Sequence, residues 1–409
     1  MNKHACWLGI ALLVLASPAR SETPNIEEIW KIVQQQQLEI DQLKQQLAVA
    51  DAQLVAADQK IEATGDYLDT FTASEVLKPA TQIGGYGEVH YNNLDTDDSS
   101  RDVDEIDFHR FVLFFGHEFT DRIRFFSELE LEHSLAGDGA PGEVELEQAY
   151  VDFTLTDTLS AKAGLFLLPV GILNETHEPP TFYGVERNSV ESDIIPSTWW
   201  EAGAAISGHY ETGLSWDFAM HSGLAMPTTG SNAFRVRSGR QKVAEAPAND
   251  PAYTARLRYS GIPGLDLGLS YQYQTDASQV SGDGLDEGQL FSVNAIYSIG
   301  DFTLKGLYAN WNLSGSAVEA AGADSQTGWF LEPSYRFKTA RGDFGIYGRY
   351  QDVDAARGQD QFTQNEVGVN YWPTDNVVFK FDFRQRDHNL ASEAGRDFDG
   401  FDLGLGYQF

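Results

Sequence analysis

The chain has 409 residues and sets 61 Asp and Glu against 28 Lys and Arg, a formal charge of -33 at neutral pH. A surface this acidic is repelled by phosphates, which argues against nucleic acid and anionic lipid headgroups as partners. The mean hydropathy of -0.33, with no apolar window as long as a transmembrane helix, excludes a helical membrane protein, whereas 12% aromatic residues and 38 glycines suit strands, tight turns and interfacial girdles.

At the N-terminal end Lys3 and His4 precede an apolar stretch over residues 5–16, followed by small residues at Ser17 and Ala19. The stretch is too short to span a bilayer, so residues 1–19 read as a secretory signal peptide cleaved after Ala19. The sole cysteine, Cys6, lies within it, and the mature chain is expected to carry no disulfide or zinc-thiolate chemistry.

Ile26, Val33, Ile40, Leu47, Leu54 and Ile61 then recur at seven-residue intervals, with Ile29, Leu43, Ala50 and Ala57 three positions after several of them. That is a heptad seam, and aliphatic side chains at both core positions suit a trimer. Gln36 at a core position is either a register-setting polar layer or a weak spot. A single amphipathic helix packed on its own domain is the competing reading. Gly65 breaks the pattern, so residues 20–80 are expected to form a periplasmic α-helical coiled coil and linker.

From about Gln82 the period changes to two. In residues 401–409 every odd position is apolar and every even one small or polar, and residues 255–259, 265–273 and 378–384 follow the same rule. A soluble sandwich also alternates. The connections decide between them. Short turns at residues 120–122, 156–158, 211–212, 261–264, 300–301, 341–342 and 373–376 take turns with long polar segments at 92–102, 170–197, 225–252, 274–287, 312–326 and 352–361. Outer-membrane barrels keep tight turns at the periplasmic rim and long loops outside. Residues 81–409 are therefore expected to form an all-β transmembrane barrel of about sixteen antiparallel strands, wide enough for a water-filled lumen.

Catalytic chemistry is not indicated. The sets Glu128/Glu130/Glu132 and Glu143/Glu145/Glu147 are spaced to share a strand face, and the nine histidines show no metal-ligand spacing. No phosphate-cradling glycine loop is present, so no enzyme activity, cofactor or metal is expected.

Alternation assigns Arg110, Arg124, Arg256, Arg258, Lys305, Arg336, Lys338, Arg349, Lys380, Arg384 and Arg386 to the interior as channel-lining residues. Glu88, Glu128, Glu130, Asp152, Glu201, Glu332 and Asp382 point the same way. A charge facing lipid would cost about 2–4 kcal/mol at the bilayer midplane. The segment 170–197 carries Glu175, Glu178, Glu186, Glu191 and Asp193 with Arg187, and is stiffened by Pro179, Pro180 and Pro196. Its length marks it as a functional loop, expected to fold inward as the constriction, its acids opposite the basic wall. An ordinary solvated external loop is the alternative.

Three phrases resemble the phosphate-selective porin O and P family across residues 82–409: Glu147-Gln148-Ala149-Tyr150-Val151-Asp152-Phe153, Ala163-Gly164-Leu165-Phe166 with Leu168-Pro169-Val170-Gly171, and Glu186-Arg187-Asn188. The resemblance implies a sixteen-stranded homotrimeric barrel whose third external loop enters the pore. It also implies that the strand ending in Phe409 is read by the barrel-assembly machinery in the outer membrane. Phosphate selectivity in that family relies on ladders of Arg and Lys, which this chain interleaves with acids. The coiled coil departs from those members and is similar to the extension of trimeric porins that pass dicarboxylates and other organic anions.

The expected function is thus an outer-membrane porin passing small hydrophilic solutes, chiefly anions such as phosphate or organic acids, by passive diffusion. A structural anchor tethering the envelope through the coiled coil is the alternative. A hydrolase is a third reading and requires a Ser/His pair at one rim.

Overall fold

The computed structural model describes residues 80–409; the expected signal peptide and coiled coil lie outside the described residues. Sixteen strands run in chain order around one closed antiparallel barrel: β1 (Thr81–Thr96), β2 (Val103–Thr120), β3 (Ile123–Glu132), β4 (Val144–Thr156), β5 (Leu159–Leu167), β6 (Trp200–His209), β7 (Leu214–His221), β8 (Ala252–Ile262), β9 (Leu265–Gln274), β10 (Gly288–Ile299), β11 (Phe302–Leu313), β12 (Ser325–Thr339), β13 (Gly342–Asp354), β14 (Gln361–Thr374), β15 (Val377–His388) and β16 (Phe398–Gln408). Closure is made by β1 on β16, with Tyr86 opposite Gln408 and Asn93 opposite Phe401. Gly85 and Phe409 complete it by exchanging backbone hydrogen bonds of 3.0 and 2.8 Å. No strand edge is left open, which is the condition for crossing lipid in β structure.

The alternation translates directly into two faces. On β15, Phe379, Phe381 and Phe383 are 49, 46 and 42% exposed, while Val378, Lys380, Asp382 and Arg384 between them are buried. The same outward apolar row continues through Leu267, Leu269 and Tyr271 on β9 and through Leu331, Tyr335 and Phe337 on β12. A soluble protein does not expose a continuous band of this kind. Lipid is its natural neighbour.

Tight connections of two to four residues lie at one rim and the long ones at the other. Two further long loops, 133–143 and 389–397, were not announced by the turn pattern, and β1 and β13 reach past the limits that their polar residues suggested.

The interior departs from the expected open bore. Loops 168–199 and 222–251 both fold inward, bringing Val190, Ile194, Ile195, Trp199, Leu224, Met226, Phe234 and Val236 into one buried cluster with Leu290, Leu307, Trp311, Phe330, Val353 and Phe362 of the wall. Toward the long-loop rim the inward faces of β10–β14 carry apolar side chains, and the loops cover them. Burial of that apolar surface holds both loops inside.

Candidate functional site: the loop across the barrel

Loop 168–199 is a braced object before it meets the wall. Asn174 ties its two ends together: Nδ2 donates to the carbonyls of Leu168 and Trp199 at 2.8 and 3.0 Å, and Oδ1 accepts from the Trp199 N–H at 2.6 Å. Glu191 forms an internal strut, accepting from the N–H groups of Ile172 and Leu173 at 2.6 and 2.7 Å and from Asn188 Nδ2 at 2.9 Å. Burial pushes the Glu191 carboxyl up despite these donors.

The middle of the loop is then pinned along β12–β16 and β1. Trp372 Nε1 donates to the Pro180 carbonyl at 3.1 Å, Asn370 to that of Phe182 at 3.2 Å, Arg349 to that of Tyr183 at 2.7 Å and Lys380 to that of Gly184 at 2.8 Å. Asp382 accepts from the Val185 N–H at 2.7 Å, and Gln351 from that of Ser189 at 2.8 Å. Arg386 reaches the Ser189 hydroxyl at 3.1 Å, and Trp311 the Ile194 carbonyl at 2.9 Å. An irregular backbone inside a barrel needs such partners, and the wall supplies them.

Inward glycines make room for this contact. A Cβ at Gly406 would collide with Pro179, one at Gly404 would press on Val185 at 3.2 Å, and one at Gly328 would meet Ile194 at 2.8 Å. Gly404 and Gly406, the small even positions of residues 401–409, receive the loop. Asp402, of the same row, is fully buried against Arg384.

The acids of the loop distribute themselves differently from a simple opposition to arginine. Glu175 does pair with Arg256. Glu186 lies 3.1 Å from both His90 Nδ1 and Asn92 Nδ2. Burial works to raise its carboxyl, and His90 outweighs that and holds it well below the usual range. Asp193 lines a small cavity with Arg235, Arg237 and Asp360, and burial raises it against the pull of Arg386. Glu178 is buried. Arg187 is half-buried, and its Nε and Nη2 donors have no hydrogen-bond partner.

The wall arginines fall into two groups. Arg110 sits between Glu88 at 2.8 Å and Glu130 at 3.6 Å, Arg349 between Glu332 and Glu366 at 2.6 Å each, and Arg384 against Asp402, all buried. Arg124 with Asp152 at 2.9 Å, Arg256 with Asp217 at 2.8 Å, Arg258 with Asp266, and Arg336 with Asp343 at 3.0 Å stay partly exposed. Lys338 is exposed, toward the short-turn rim. Lys305 is 3.9 Å from Glu332.

Sequence reasoning missed a second basic group, Arg235, Arg237, Arg240 and Lys242, on loop 222–251. Arg237 donates to the carbonyls of Ser192 and Ser197 at 3.2 and 2.9 Å, and Arg240 to that of Thr198. Burial and neighbouring Arg240 push Arg237 down to about 10. Four cations within eight residues of so acidic a chain were the available signal.

A closed sixteen-stranded barrel with an apolar outer band, tight turns at one rim and a long loop through its bore is an outer-membrane channel of the porin class. Within that class the chain belongs to the phosphate-selective porin O and P family, whose model matches residues 83–409. It is 31% identical over 342 residues to an uncharacterised protein of Aquifex aeolicus strain VF5, covering 76% of this chain and 77% of the other. In fold it is similar to Salmonella typhi OmpF in complex with daunomycin, with 14% identity, 80% of this chain and 97% of that one covered, and a TM-score of 0.55. The anion-selective porin of Comamonas acidovorans gives 14%, 80%, 99% and 0.54, and Pseudomonas putida OprB 12%, 84%, 96% and 0.53.

Proposed function

We propose that the protein is a narrow diffusion channel for small hydrophilic solutes, with phosphate or organic acids favoured, and that loop 168–199 is its constriction. The observation that carries this reading is Arg187. Most wall arginines are ion-paired to an acid, whereas this guanidinium, on the loop that crosses the bore and near Glu130, is half-buried and has two buried donors without a hydrogen-bond partner. A planar guanidinium with unused donors suits transient binding of carboxylate or phosphate. The partly exposed pairs at Arg124, Arg256, Arg258 and Arg336 line the rest of the path with balanced charge, so preference for anions arises mainly at the loop.

The assembly is proposed to be a homotrimer joined through the helical seam before Gln82, with Phe409 presenting the last strand to the assembly machinery. Reversal potential under a salt gradient across a planar bilayer tests the selectivity. Anion preference that falls in Arg187→Gln is expected; a cation preference in the native protein overturns it. Deleting residues 175–193 is expected to raise single-channel conductance. The alternative of a structural envelope tether is favoured only if truncation before Gln82 abolishes an envelope phenotype that loss of conductance does not reproduce.

A further inference from the structure

We propose that His177 of the crossing loop and Glu128 and Glu147 of the wall form a binding site for a divalent first-row transition metal ion such as zinc. The proposal is independent of the channel's solute. Glu128 Oε1, Glu147 Oε2 and His177 Nε2 lie within 4.8 Å of one another, and all three side chains are buried. Each of these atoms has no hydrogen-bond partner.

The second atom of every ligand, by contrast, is already held. His177 Nδ1 is 3.2 Å from the Asn174 carbonyl, an oxygen that can only accept, so Nδ1 carries a proton and Nε2 is left to face the carboxylates. Glu128 Oε2 accepts from Gln148 Nε2 at 2.7 Å, and Glu147 Oε1 from the Thr198 hydroxyl at 2.5 Å. Outer partners of this kind orient metal ligands. His177 Nε2 is 3.4 Å from Glu128 Oε1 and 3.8 Å from Glu147 Oε2. Ligands of a tetrahedral zinc ion at 2.0–2.1 Å stand about 3.3 Å apart, close to both distances from His177.

Charge argues the same way. Two carboxylates turned on each other in a buried site are stabilised by a cation, with a shared proton as the competing solution that the zinc titration distinguishes. Arg110, the cation of this wall, is taken up by Glu88 and Glu130. One imidazole nitrogen with two carboxylate oxygens suits zinc or its first-row neighbours better than calcium or magnesium, which take oxygen. The buried Tyr86 hydroxyl, on a ring packed edge-on against His177, also lacks a partner and supplies a polar neighbour.

A β-bulge builds the site. Glu128 pairs with Gln148 but Leu129 pairs with Leu146, leaving Glu147 as the extra residue, so that Glu147 and Gln148 are both buried instead of alternating. A row of carboxylates leads from the site toward the long-loop rim: Glu130 and Glu145 cluster with Glu147, and exposed Glu143 continues the row to Lys242, which pairs with both Glu143 and Glu145. A bound ion would fasten the loop to β3 and β4, strands that hold none of the backbone anchors described above.

The test is zinc content and calorimetric titration of the untagged full chain in detergent, after stripping with chelator. One zinc per chain is expected, with affinity falling at least tenfold in Glu147→Gln and in His177→Ala, and several-fold in Thr198→Val, which leaves all three ligands in place. Heat-modified gel mobility identifies variants that retain the closed barrel, and only those are compared. Chelation is expected to increase open-channel current noise in the native protein but not in His177→Ala. Zinc well below one per chain, or equal affinity in native and His177→Ala protein, overturns the proposal.

Discussion

Two arcs of the same barrel use inward charge for opposite ends. Along β13–β15 Arg349, Lys380 and Arg384 are buried, and Arg349, Lys380 and Arg386 spend donors on the crossing loop. Along β3–β9, Arg124, Arg256 and Arg258 form comparable pairs but keep contact with water. Residue type does not separate the arcs. What separates them is how the loop meets them: its backbone accepts hydrogen bonds from the first ladder, whereas it reaches the second through the Glu175 side chain at Arg256.

The comparison can be broken most forcefully at Arg349. Arg349→Met strands Glu332 and Glu366 in a buried setting, and about 3–5 kcal/mol of stability should be lost, read as the denaturant or heat needed to open the barrel. Gly406→Val strikes the same arc sterically. Forcing a branched side chain against Pro179 should cost about 1–3 kcal/mol and raise conductance as the loop lifts. On the other arc Arg258→Gln should cost less stability than Arg349→Met, about 1 kcal/mol, since Arg258 keeps contact with water although Asp266 is buried, yet shift the reversal potential toward cations at low salt.

The smallest effect expected is with pH. Because the folded Glu186 carboxyl is held below its ordinary value, its contribution is complete above the unfolded carboxylate range and is lost only as pH falls through the lowered folded value. In chelator, the conductance difference between native and Glu186→Gln protein should therefore be constant from pH 7 to about 5 and vanish only below the ordinary carboxylate range, whatever Glu191 and Asp193, raised by burial, add at milder acidity. A difference that vanishes at milder acidity would remove Glu186 from the loop's anchorage.

The barrel was legible because a two-residue period and alternating connection lengths are local signals, carried by rows such as Phe379, Phe381 and Phe383. Inward placement of Arg349 or Lys380 follows from the same period. Their partners do not, since the path of loop 168–199 depends on contacts more than 150 residues distant in the chain. The His177 cluster was hidden for the same reason, its ligands arriving from two strands and a loop. One trace was readable: the outward row passes from even positions at Val144 and Leu146 to odd ones at Val151 and Phe153, and such a change of phase requires a bulge.

The cross-strand pairs have a mechanical consequence. Arg110 joins β1, β2 and β3, Arg349 joins β12, β13 and β14, and Arg384 joins β15 to β16. Each acts as a hoop segment, running around the circumference at right angles to the strands. Widening the barrel would stretch these links together with the backbone ladder, so its resistance to dilation under osmotic load or an applied voltage is set partly by side chains that never meet the solute.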